Sequence, residues 1–479
     1  MVFSGLTFLL LFFPTVMVLS LLSRRLKYQN YMLLAVSLLF YAWGEPKWVL
    51  AMLAVAAMNY LCALPLQKDT LSKGLRRLLL TAAVLGSLSF LFYFKYAAFF
   101  LNTFGSLIGR GDLMKTPVLP IGISFYTFQA LTYTVDVYRG KAPAQRNPLK
   151  LLLYISCFPQ LIAGPIVQYA DIAEQLDRRK ITADGYLRGF RRFTVGLAKK
   201  VLLANLCGSA LLEMGTAAQG PLTVVGAWVS CILYSMQIYF DFSAYSDMAI
   251  GIGSMLGFRY KENFNYPYIA GSVTEFWHRW HISLGSFFRD YVYIPLGGNR
   301  KGPARQILNL LIVWGLTGFW HGASWNYLMW GLLHGVLVVA EKMIWKKEPH
   351  GALRILRRVL SLILVLISMM VFYYENLSFG LSHILAFFGI GLENGVLTTV
   401  PWIDEKRLLL LGKYALPIAA MIVFCTPLLK NLAARWEQRD REKPCGYEIA
   451  AGLTSVALLV LSLICLIGQS YNPFIYFRF

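Results

Sequence analysis

The sequence predicts an all-α polytopic membrane protein with roughly 10 to 13 transmembrane or re-entrant helices. Two observations predict this class. Apolar residues make up 57% of the 479 residues and charged residues only 14%, a balance unlike that of soluble domains. Apolar runs long enough to cross a hydrocarbon core of about 30 Å also recur from one end of the chain to the other. Because lipid cannot satisfy exposed backbone groups, we expect these runs to be helical.

The clearest apolar runs are long enough to span a bilayer, and several shorter runs are weaker candidates that could be re-entrant or interfacial. In chain order, the clear runs are Phe3–Leu22, Trp48–Leu66, Leu78–Phe94, Pro221–Phe240, Gln306–Trp320, Trp325–Ile344, Val359–Tyr374, Leu408–Leu429 and Ile449–Ile467. The weaker runs are Tyr31–Trp43, Val118–Tyr133, Leu149–Ala163, Phe193–Leu212 and Asp247–Phe258.

The basic residues lie in short loops between these runs, which is the positive-inside pattern of membrane proteins. The formal charge of +21 therefore does not indicate nucleic-acid binding. We expect the basic loops to be cytoplasmic and the N-terminus to lie outside. The first run is followed by Arg24, Arg25 and Lys27 instead of a cleavage site, so we interpret it as a retained span. The loops are Arg24–Lys27, Lys68–Arg77, Arg300–Arg305, Lys346–Arg358 and Lys430–Lys443.

Several classes of site are not indicated by the sequence. The seven cysteines form no CxxC pair, so neither a zinc site nor a disulfide framework is predicted. No Walker A loop or dinucleotide-binding glycine pattern occurs, which argues against ATP hydrolysis and hydride transfer. We expect a single membrane-embedded domain over residues 1–479. Its catalytic core is expected at about 117–335, where polar and ionisable residues interrupt the apolar runs.

The segment Tyr239–Asp247 places Asp241 and Asp247 directly after an apolar run. An ionisable group at membrane depth is costly and suggests a cavity, a partner or a function. Both carboxylates could equally cap or hydrogen-bond the helix that follows.

The segment Glu275–Asp290 is dense in groups that carry protons or bind anions. On a helix, His278 and His281 would lie one turn apart, with Glu275 on much the same side. This spacing is not the HExxH zinc arrangement, so we predict no metal site. His278 is more simply a hydrogen-bonded packing residue.

The sharpest local signal is the segment Gly318–Asn326, in which His321 ends an apolar run and is followed by small residues. The small residues Gly322, Ala323 and Ser324 leave room for a reactant to approach the ring. A neutral imidazole can take a proton from a hydroxyl during acyl transfer. A buried histidine bonded to a neighbouring carbonyl is an equally good interpretation. Without a GxSxG elbow, a serine acyl-enzyme has no specific support.

The polar segments of the middle third resemble the membrane-bound O-acyltransferase family, specifically its bacterial branch of alginate, peptidoglycan and cellulose O-acetylation proteins. The D-alanyl transfer proteins of teichoic acid synthesis are a more distant match. The resemblance covers most of the chain. Its motifs are Leu119–Gln129, Phe158–Ile166, Phe240–Asp247, Asn263–Pro267, Phe276–Ser283, Tyr293–Asn299, Thr317–Asn326 and the closing Tyr471–Phe479.

The resemblance implies a helical fold around a tunnel or funnel, in which a cytoplasmic acetyl donor meets an acceptor from the outside. The family's active-site histidine corresponds to His321 and its second site histidine to His281. The implied donor is acetyl-CoA, used as a substrate, with no bound cofactor or metal. The implied acceptor is an alginate-like or other cell-envelope polysaccharide, reached directly or through a periplasmic or extracellular acetyltransferase partner. The implied location is the bacterial plasma membrane.

Further residues are expected to support these two histidines. Those expected to orient them or to line the tunnel are Asp241, Asp247, Glu275, Trp280 and Asn326. Those that could attract the phosphates of the donor are Arg289, Arg300 and Lys301. The main alternative from another class is a transporter or flippase for a polysaccharide or lipid-linked sugar, which would use the same polar middle region as its path.

Overall fold

The computed structural model describes residues 1–68, 70–162, 164–220, 222–345, 348–393, 395–442, 446–468, 472 and 474–475. Some features named above lie outside the described residues: Ala163, Pro221, Lys346, Lys347, Lys443, Cys445 and most of the closing segment 471–479.

The described chain is mostly helical, with one small antiparallel sheet. The helices before residue 263 are α1 Phe8–Leu21, α2 Leu26–Gly44, α3 Val49–Leu66, α4 Lys73–Leu107, α5 Ile123–Tyr138, α6 Pro148–Ser156, α7 Phe158–Leu161, α8 Tyr169–Ile172, α9 Gln175–Arg178, α10 Ala183–Met214 and α11 Val224–Met255. The elements after it are α12 Val273–Arg279, α13 Ile282–Phe288, α14 Pro303–His321, α15 Trp325–Ile344, α16 Gly351–Tyr373, α17 Leu377–Ala386, β1 Ile390–Glu393, β2 Val396–Thr399, α18 Glu405–Phe424, α19 Leu428–Glu442 and α20 Tyr447–Gly468.

Among the described residues, 8 helices are long and apolar enough to cross a membrane, namely α3, α4, α10, α11, α15, α16, α18 and α20. The shorter helices α1 and α17 are also apolar. These helices confirm the prediction of a polytopic, all-helical membrane protein. Helix α14 covers the predicted span Gln306–Trp320 but is not among the 8, because Arg305, Gln306 and Asn309 lower its mean hydropathy.

Several predicted boundaries differ from the structure, as two examples show. The runs Pro221–Phe240 and Asp247–Phe258 were predicted as separate elements, but a single helix, α11, extends through the polar segment between them as far as Met255. The run Leu408–Leu429 does not continue to its predicted end, because α18 ends at Phe424 and a new helix begins at Leu428.

The chain divides into two compact units. The first comprises Met1–Val195 and Tyr245–Glu262. Buried phenylalanine rings form much of its core, including the pairs Phe3 with Phe8 at 4.8 Å and Phe40 with Phe158 at 5.6 Å between ring centroids. Such aromatic pairs add packing energy beyond the burial of their area.

A polar cluster joins three helices of this first unit. The Asn59 amide on α3 donates to Ser87 Oγ on α4 over 2.8 Å, and its carbonyl oxygen accepts from Thr134 Oγ1 on α5 over 2.7 Å. All three side chains are fully buried. Since lipid offers no competing partners, such bonds fix the arrangement of apolar helices.

The second unit comprises Gly196–Ala244 and Asn263–Phe479. Helices α14 and α15 pack closely because glycines lie where they meet. A Cβ added to Gly318 would lie 2.2 Å from Tyr327 O, and one added to Gly331 would lie 2.3 Å from Trp314 O. Small residues of this kind allow membrane helices to approach each other. The contact holds His321, at the end of α14, against α15.

Other parts of the second unit present apolar side chains outward. Leu416 on α18 is 80% exposed and Ile449 on α20 is 71% exposed, which fits direct contact with lipid chains. Strands β1 and β2 pair in antiparallel register, with Ile390 opposite Thr399.

Candidate active site

His321 is the last residue of α14 and is buried in a shell of aromatic rings. Its imidazole is 7% exposed. The centroids of Trp330 and Phe372 lie 5.3 Å and 5.1 Å from that of His321, both in edge-to-face orientation, and Trp320 lies at 4.9 Å. This shell excludes bulk water from the ring, which strengthens any electrostatic interaction made there.

Gly322, the first of the small residues after His321, has a different use from the one predicted. The space beside Gly322 is filled by the Tyr327 ring, because a Cβ on this glycine would lie 2.3 Å from Tyr327 Cδ2. Gly322 therefore allows the chain to turn tightly between α14 and α15. It does not leave an open approach to His321.

A narrow cavity of about 20 Å³ adjoins His321. Its other walls include Phe242, Trp280, Trp330 and Met369, so it is largely apolar. A volume of this size holds about one water-sized group. Any group that reacts beside His321 must be small.

Among the described residues that line the narrow cavity, Asp241 is the one with a charged side chain. Asp241 Oδ1 lies 2.7 Å from Lys200 Nζ, and the two side chains are 2% and 4% exposed. Asp241 Oδ2 also accepts the backbone N–H of Ile475 over 2.8 Å. A buried ion pair tolerates desolvation only when its remaining lone pairs are satisfied. The Ile475 N–H provides such a partner for Asp241 Oδ2. The bond also holds Ile475 and its neighbour Phe474 in the wall of the narrow cavity.

His281 does not continue a helix with His278, contrary to the prediction. Helix α12 ends at Arg279, and His281 has a φ of +44°, in the left-handed region. Few residues other than glycine adopt this conformation without support. The support comes from Asn263, whose backbone oxygen accepts from Ile282 N–H over 2.9 Å. This long-range contact ends the helix and separates the two histidines.

The hydrogen bonds of His281 define its tautomer. Asn263 Oδ1 accepts the Ser283 backbone N–H over 3.1 Å and lies 3.2 Å from His281 Nδ1. An atom that accepts a backbone N–H is the amide oxygen, so Nδ1 carries the proton. Burial lowers the pKa of His281 to about 3, which keeps the ring neutral near pH 7. Its Nε2 therefore holds a lone pair, and no described residue bonds to it.

A wide chamber of about 1360 Å³ is lined by His278, Trp280 and His281, among others. Its walls come from α12 to α16. Trp280 lines both this chamber and the narrow cavity. The Trp320 ring lies 5.6 Å from His281 and 4.9 Å from His321. The two predicted histidines are thus brought against the same indole ring.

The wide chamber is rich in cationic side chains. Of its charged lining residues in the described ranges, six are cationic and three are acidic: Arg279, Arg289, Lys342, Arg354, Arg357 and Arg358, with Glu275, Glu341 and Glu348. Glu341 is engaged at the start of α12, where it accepts the Val273 and Thr274 backbone N–H groups. Neither Arg354 nor Lys342 pairs with any other residue in the described ranges. The chamber can therefore attract an anionic molecule.

Glu275 lines the wide chamber. Burial alone would raise the pKa of its carboxyl, but bonds from the Gly271 N–H and from Arg279 lower it overall. It is therefore a carboxylate whose charge is already balanced by Arg279, at 2.8 Å.

Other predicted site residues lie elsewhere. Asp247 belongs to the first unit, where it accepts a bond from Arg192 over 2.9 Å. Asn326 is buried and donates to Tyr374 O over 2.8 Å, so it holds a helix end and lines neither cavity.

Only one of the three predicted donor-binding cations lines the wide chamber. Arg289 does so and is also paired with the adjacent Asp290, at 2.8 Å. Arg300 and Lys301 are not in its lining. They lie in the turn before α14, where Arg300 N–H bonds to Gly297 O.

Sequence reasoning missed several residues of the site. Lys200 gave a usable signal, since a lysine within the apolar run Phe193–Leu212 needs a partner of opposite charge. Arg354 and Arg358 were attributed to a cytoplasmic loop alone. Asn263 was part of a motif but was given no role. Within the described ranges, no group of three or more His, Cys, Asp or Glu side chains is placed to hold a metal ion.

The fold and the site together are those of a multi-pass membrane protein with a buried histidine beside an internal chamber. A model of the membrane-bound O-acyltransferase family matches residues 141–384, a range that includes both histidines. The chain is 36% identical, over 100% of both chains, to the "Probable alginate O-acetylase" of Azotobacter vinelandii. It is also 36% identical to the peptidoglycan O-acetyltransferase of Helicobacter pylori, over 65% of this chain and 64% of the relative. The chain is 28% identical to the teichoic acid D-alanyltransferase of Bacillus subtilis, and this match covers 48% of this chain and 60% of the relative.

The chain belongs to the membrane-bound O-acyltransferase family. It is therefore a multi-pass membrane enzyme that transfers acyl groups to oxygen, and the resemblance carried by its motifs is confirmed. Because this family consists of acyltransferases, membership argues against the alternative that the protein is a transporter or flippase.

Proposed function

We propose that this enzyme transfers an acetyl group from cytoplasmic acetyl-CoA toward a hydroxyl of an extracytoplasmic cell-envelope polysaccharide, with His321 as the general base. The observation that carries the proposal is the position of His321 at a narrow cavity that shares the Trp280 wall with a wide, cationic chamber.

The wide chamber supports a coenzyme A thioester as the donor. Its volume of about 1360 Å³ exceeds that of most small-molecule sites, which measure about 300–1,000 Å³. Its excess of cations complements the phosphates of the coenzyme. Arg354 and Arg358 belong to the basic segment that the positive-inside pattern assigns to the cytoplasm, where coenzyme A thioesters are made.

The narrow cavity supports acetyl over longer acyl groups. It has room for about one water-sized group beyond the surrounding side chains, and its walls are bulky residues such as Trp330 and Phe372. An acetyl methyl group fits such a space, whereas each further methylene would have to displace a wall.

The proposed reaction is a direct transfer. The His321 imidazole takes the proton of the acceptor hydroxyl while the hydroxyl oxygen attacks the thioester carbonyl. The tetrahedral intermediate then collapses, its carbon–sulfur bond breaks, and the thiolate takes the proton from the imidazolium. The products are an O-acetyl ester and free coenzyme A.

His281 acts in this scheme by positioning a reactant. Its Nε2 holds a lone pair to which no described residue bonds, and His281 lines the wide chamber, so this nitrogen can accept a hydrogen bond from a hydroxyl. The Nδ1 proton is already directed to Asn263. Polarising a carbonyl would require a proton on Nε2 instead, so the tautomer favours positioning over polarisation.

The acceptor class comes from the relatives. Proteins similar to this chain are named for O-acetylation of alginate and of peptidoglycan, and both are bacterial polysaccharides of the cell envelope. We propose the bacterial plasma membrane as the location and a periplasmic or extracellular acetyltransferase as a partner that carries the acetyl group to the polymer.

The test uses purified enzyme in detergent with acetyl-CoA labelled in the acetyl group. Coenzyme A release and label transfer are measured with alginate, peptidoglycan fragments and periplasmic extract as acceptors. We expect transfer by the wild type and loss of it in His321→Ala. His383→Gln, at a buried histidine that lines neither cavity, serves as a matched control.

Two results would contradict the proposal. Full transfer by folded His321→Ala would exclude this residue as the base. Absence of transfer by the wild type with every acceptor, while another acyl thioester is consumed, would exclude acetyl-CoA as the donor.

A further inference from the structure

A third histidine, His334, lies behind the walls of both cavities. It is on α15 and its side chain is 0% exposed. The Trp277 indole N–H donates to His334 Nδ1 over 3.2 Å, and Ser368 Oγ lies 3.0 Å from His334 Nε2. The imidazole thus joins α12, α15 and α16.

These contacts are consistent with a single neutral tautomer. Nδ1 accepts the indole proton, so the imidazole proton is on Nε2. The Ser368 hydroxyl donates to Val365 O over 2.6 Å, which leaves its oxygen free to accept from Nε2–H. Every polar hydrogen in this chain of bonds has one acceptor, so the network has one fully satisfied arrangement.

Three tryptophans contact His334, namely Trp277, Trp314 and Trp330, and two of them, Trp277 and Trp330, line different cavities. Trp277 lines the wide chamber and Trp330 lines the narrow cavity. The Trp330 ring is 4.9 Å from His334 and 5.3 Å from His321. Trp277 and Trp330 also pack edge to face at 5.5 Å. A rotation of either indole would change the space beside His321.

We infer that His334 is a positioning residue for acyl transfer: its neutral imidazole fixes the planes of Trp277 and Trp330, and through them the alignment of the acyl group with His321. The inference rests on the proposed function, in which His321 is the base. It predicts a defect in the chemical step, because misplaced walls misalign the reactants without removing donor contacts.

His383 provides a matched comparison. It is also buried, at 1% exposure, and its ring nitrogens also have hydrogen-bond partners, with Tyr374 OH at 2.7 Å, Ala227 O at 3.0 Å and Ser230 Oγ at 3.5 Å. Its ring neighbours Tyr374 and Phe387 line neither cavity. Replacing it removes a buried polar network of similar extent without touching the walls of the site.

The experiment compares His334→Leu, His334→Asn, Trp277→Phe and His383→Leu. Asparagine places an amide oxygen near the position of Nδ1 and can accept the indole proton, whereas leucine cannot. Phenylalanine at 277 keeps an aromatic ring and removes the N–H. The readouts are kcat and KM for acetyl-CoA with purified protein, O-acyl ester content of the envelope polysaccharide in cells, and the melting temperature of each variant.

We expect His334→Leu to lower kcat between about 10- and 100-fold with little change in KM. His334→Asn should recover most of the loss. Trp277→Phe should lower kcat as well, and the double variant Trp277→Phe with His334→Leu should be no worse than His334→Leu alone, because both changes break the same bond. His383→Leu should lower the melting temperature as much as His334→Leu while keeping kcat.

The inference is overturned if His334→Leu keeps the wild-type kcat, if His334→Asn is no better than His334→Leu, or if His383→Leu loses kcat equally. Failure of the proposed function gives a different result. In that case the wild type does not use acetyl-CoA, while the ester content of cells, which does not depend on the identity of the donor, still reports the effect of each variant. A wild type without ester in cells would overturn both.

Discussion

The narrow cavity and the wide chamber differ in size, charge and side-chain chemistry although they share Trp280 as a wall. The narrow cavity has a volume of about 20 Å³ and the chamber about 1360 Å³. Apart from Asp241 and His321, the described lining of the first is apolar, whereas six cationic and three acidic described residues line the second. One region is suited to a small reacting group and the other to a large anionic carrier.

This difference predicts a separation of kinetic effects. Contacts that hold the carrier are the same in the ground state and the transition state, so their loss raises KM. Groups in the narrow cavity act when bonds form and break, so their loss lowers kcat. Variants in each region therefore test whether the chamber determines KM and the narrow cavity determines kcat.

The largest expected effect is at the base. His321→Gln should lower kcat between about 10²- and 10⁴-fold, the usual contribution of a general base. His281→Asn removes the Nε2 lone pair and keeps a residue that tolerates a positive φ. It should lower kcat about 10-fold, the worth of one hydrogen bond. Both are measured as label transfer from acetyl-CoA. Equal losses at the two positions would mean that His281 is not merely a positioning residue.

A second prediction concerns pH and the stability of the His281 region. Burial lowers the pKa of His281 to about 3 from 6.5. The unfolded chain therefore binds a proton at this residue between these two values and the folded chain does not, so acid favours unfolding in this window. Stability from this group is complete above pH 6.5 and decreases by about 1.4 kcal/mol for each pH unit below it. Between pH 6.5 and 5 the loss is about 2 kcal/mol.

The measurement is the melting temperature of wild type and His281→Asn in detergent at pH 7, 6 and 5. The wild type should be destabilised more by acid than the variant. The difference between them isolates this residue, because the other histidines are common to both. Parallel curves would show that His281 is already charged or exposed in the folded enzyme.

Part of this arrangement could be predicted from the sequence. The apolar runs predict a helical membrane protein, since a helix satisfies its own backbone in lipid and the runs have the length of spanning helices. Ionisable residues within apolar surroundings are conspicuous for the same reason, and Asp241 and His321 do meet in one cavity wall. The partner of Asp241, Lys200, could have been found by applying this rule to every apolar run.

Other parts depend on tertiary contacts and could not be predicted. Local spacing favours a continuous helix through His278 and His281, but the side chain and backbone of Asn263 hold His281 in the left-handed region instead. Arg354 and Arg358 belong to a different helix from the histidines, and only packing brings them to the chamber wall. Sequence position alone favoured Arg300 and Lys301, which are not in that lining.

The third prediction tests the wide chamber through its cations. Replacing both Arg354 and Arg358 with glutamine should raise KM for acetyl-CoA about 10-fold, as expected for the loss of charge-assisted bonds to phosphate, and leave kcat nearly unchanged. Added salt should raise KM in the wild type more than in the variant. Arg300→Gln, outside the chamber lining, is the matched control. If Arg300→Gln raises KM as much as the double variant, the donor binds elsewhere.

The smallest expected effect concerns acyl length. Met369 lines the narrow cavity, and the adjacent Met370 does not, although both are 1% exposed. Each change to alanine should cost about 2–5 kcal/mol of stability. The two variants are therefore matched in burial and expected loss of stability, and they differ in whether the residue lines the narrow cavity. Met369→Ala should increase the kcat/KM ratio of propionyl-CoA to acetyl-CoA about 5-fold, less than the 10-fold or more that one methylene can discriminate, because neighbouring rings can relax into the space.

The Met369 and Met370 variants also distinguish two causes of a changed acyl preference: space beside His321 and general loosening of the packing. If space beside His321 sets acyl length, only Met369→Ala changes the ratio, and acetyl transfer keeps its KM because the chamber is intact. If both variants accept propionyl-CoA equally, looser packing of α16 explains the change and the narrow cavity does not select the acyl group. If neither variant accepts propionyl-CoA, the wide chamber limits the length of the acyl group. The assignment of acyl selection to the narrow cavity is then wrong.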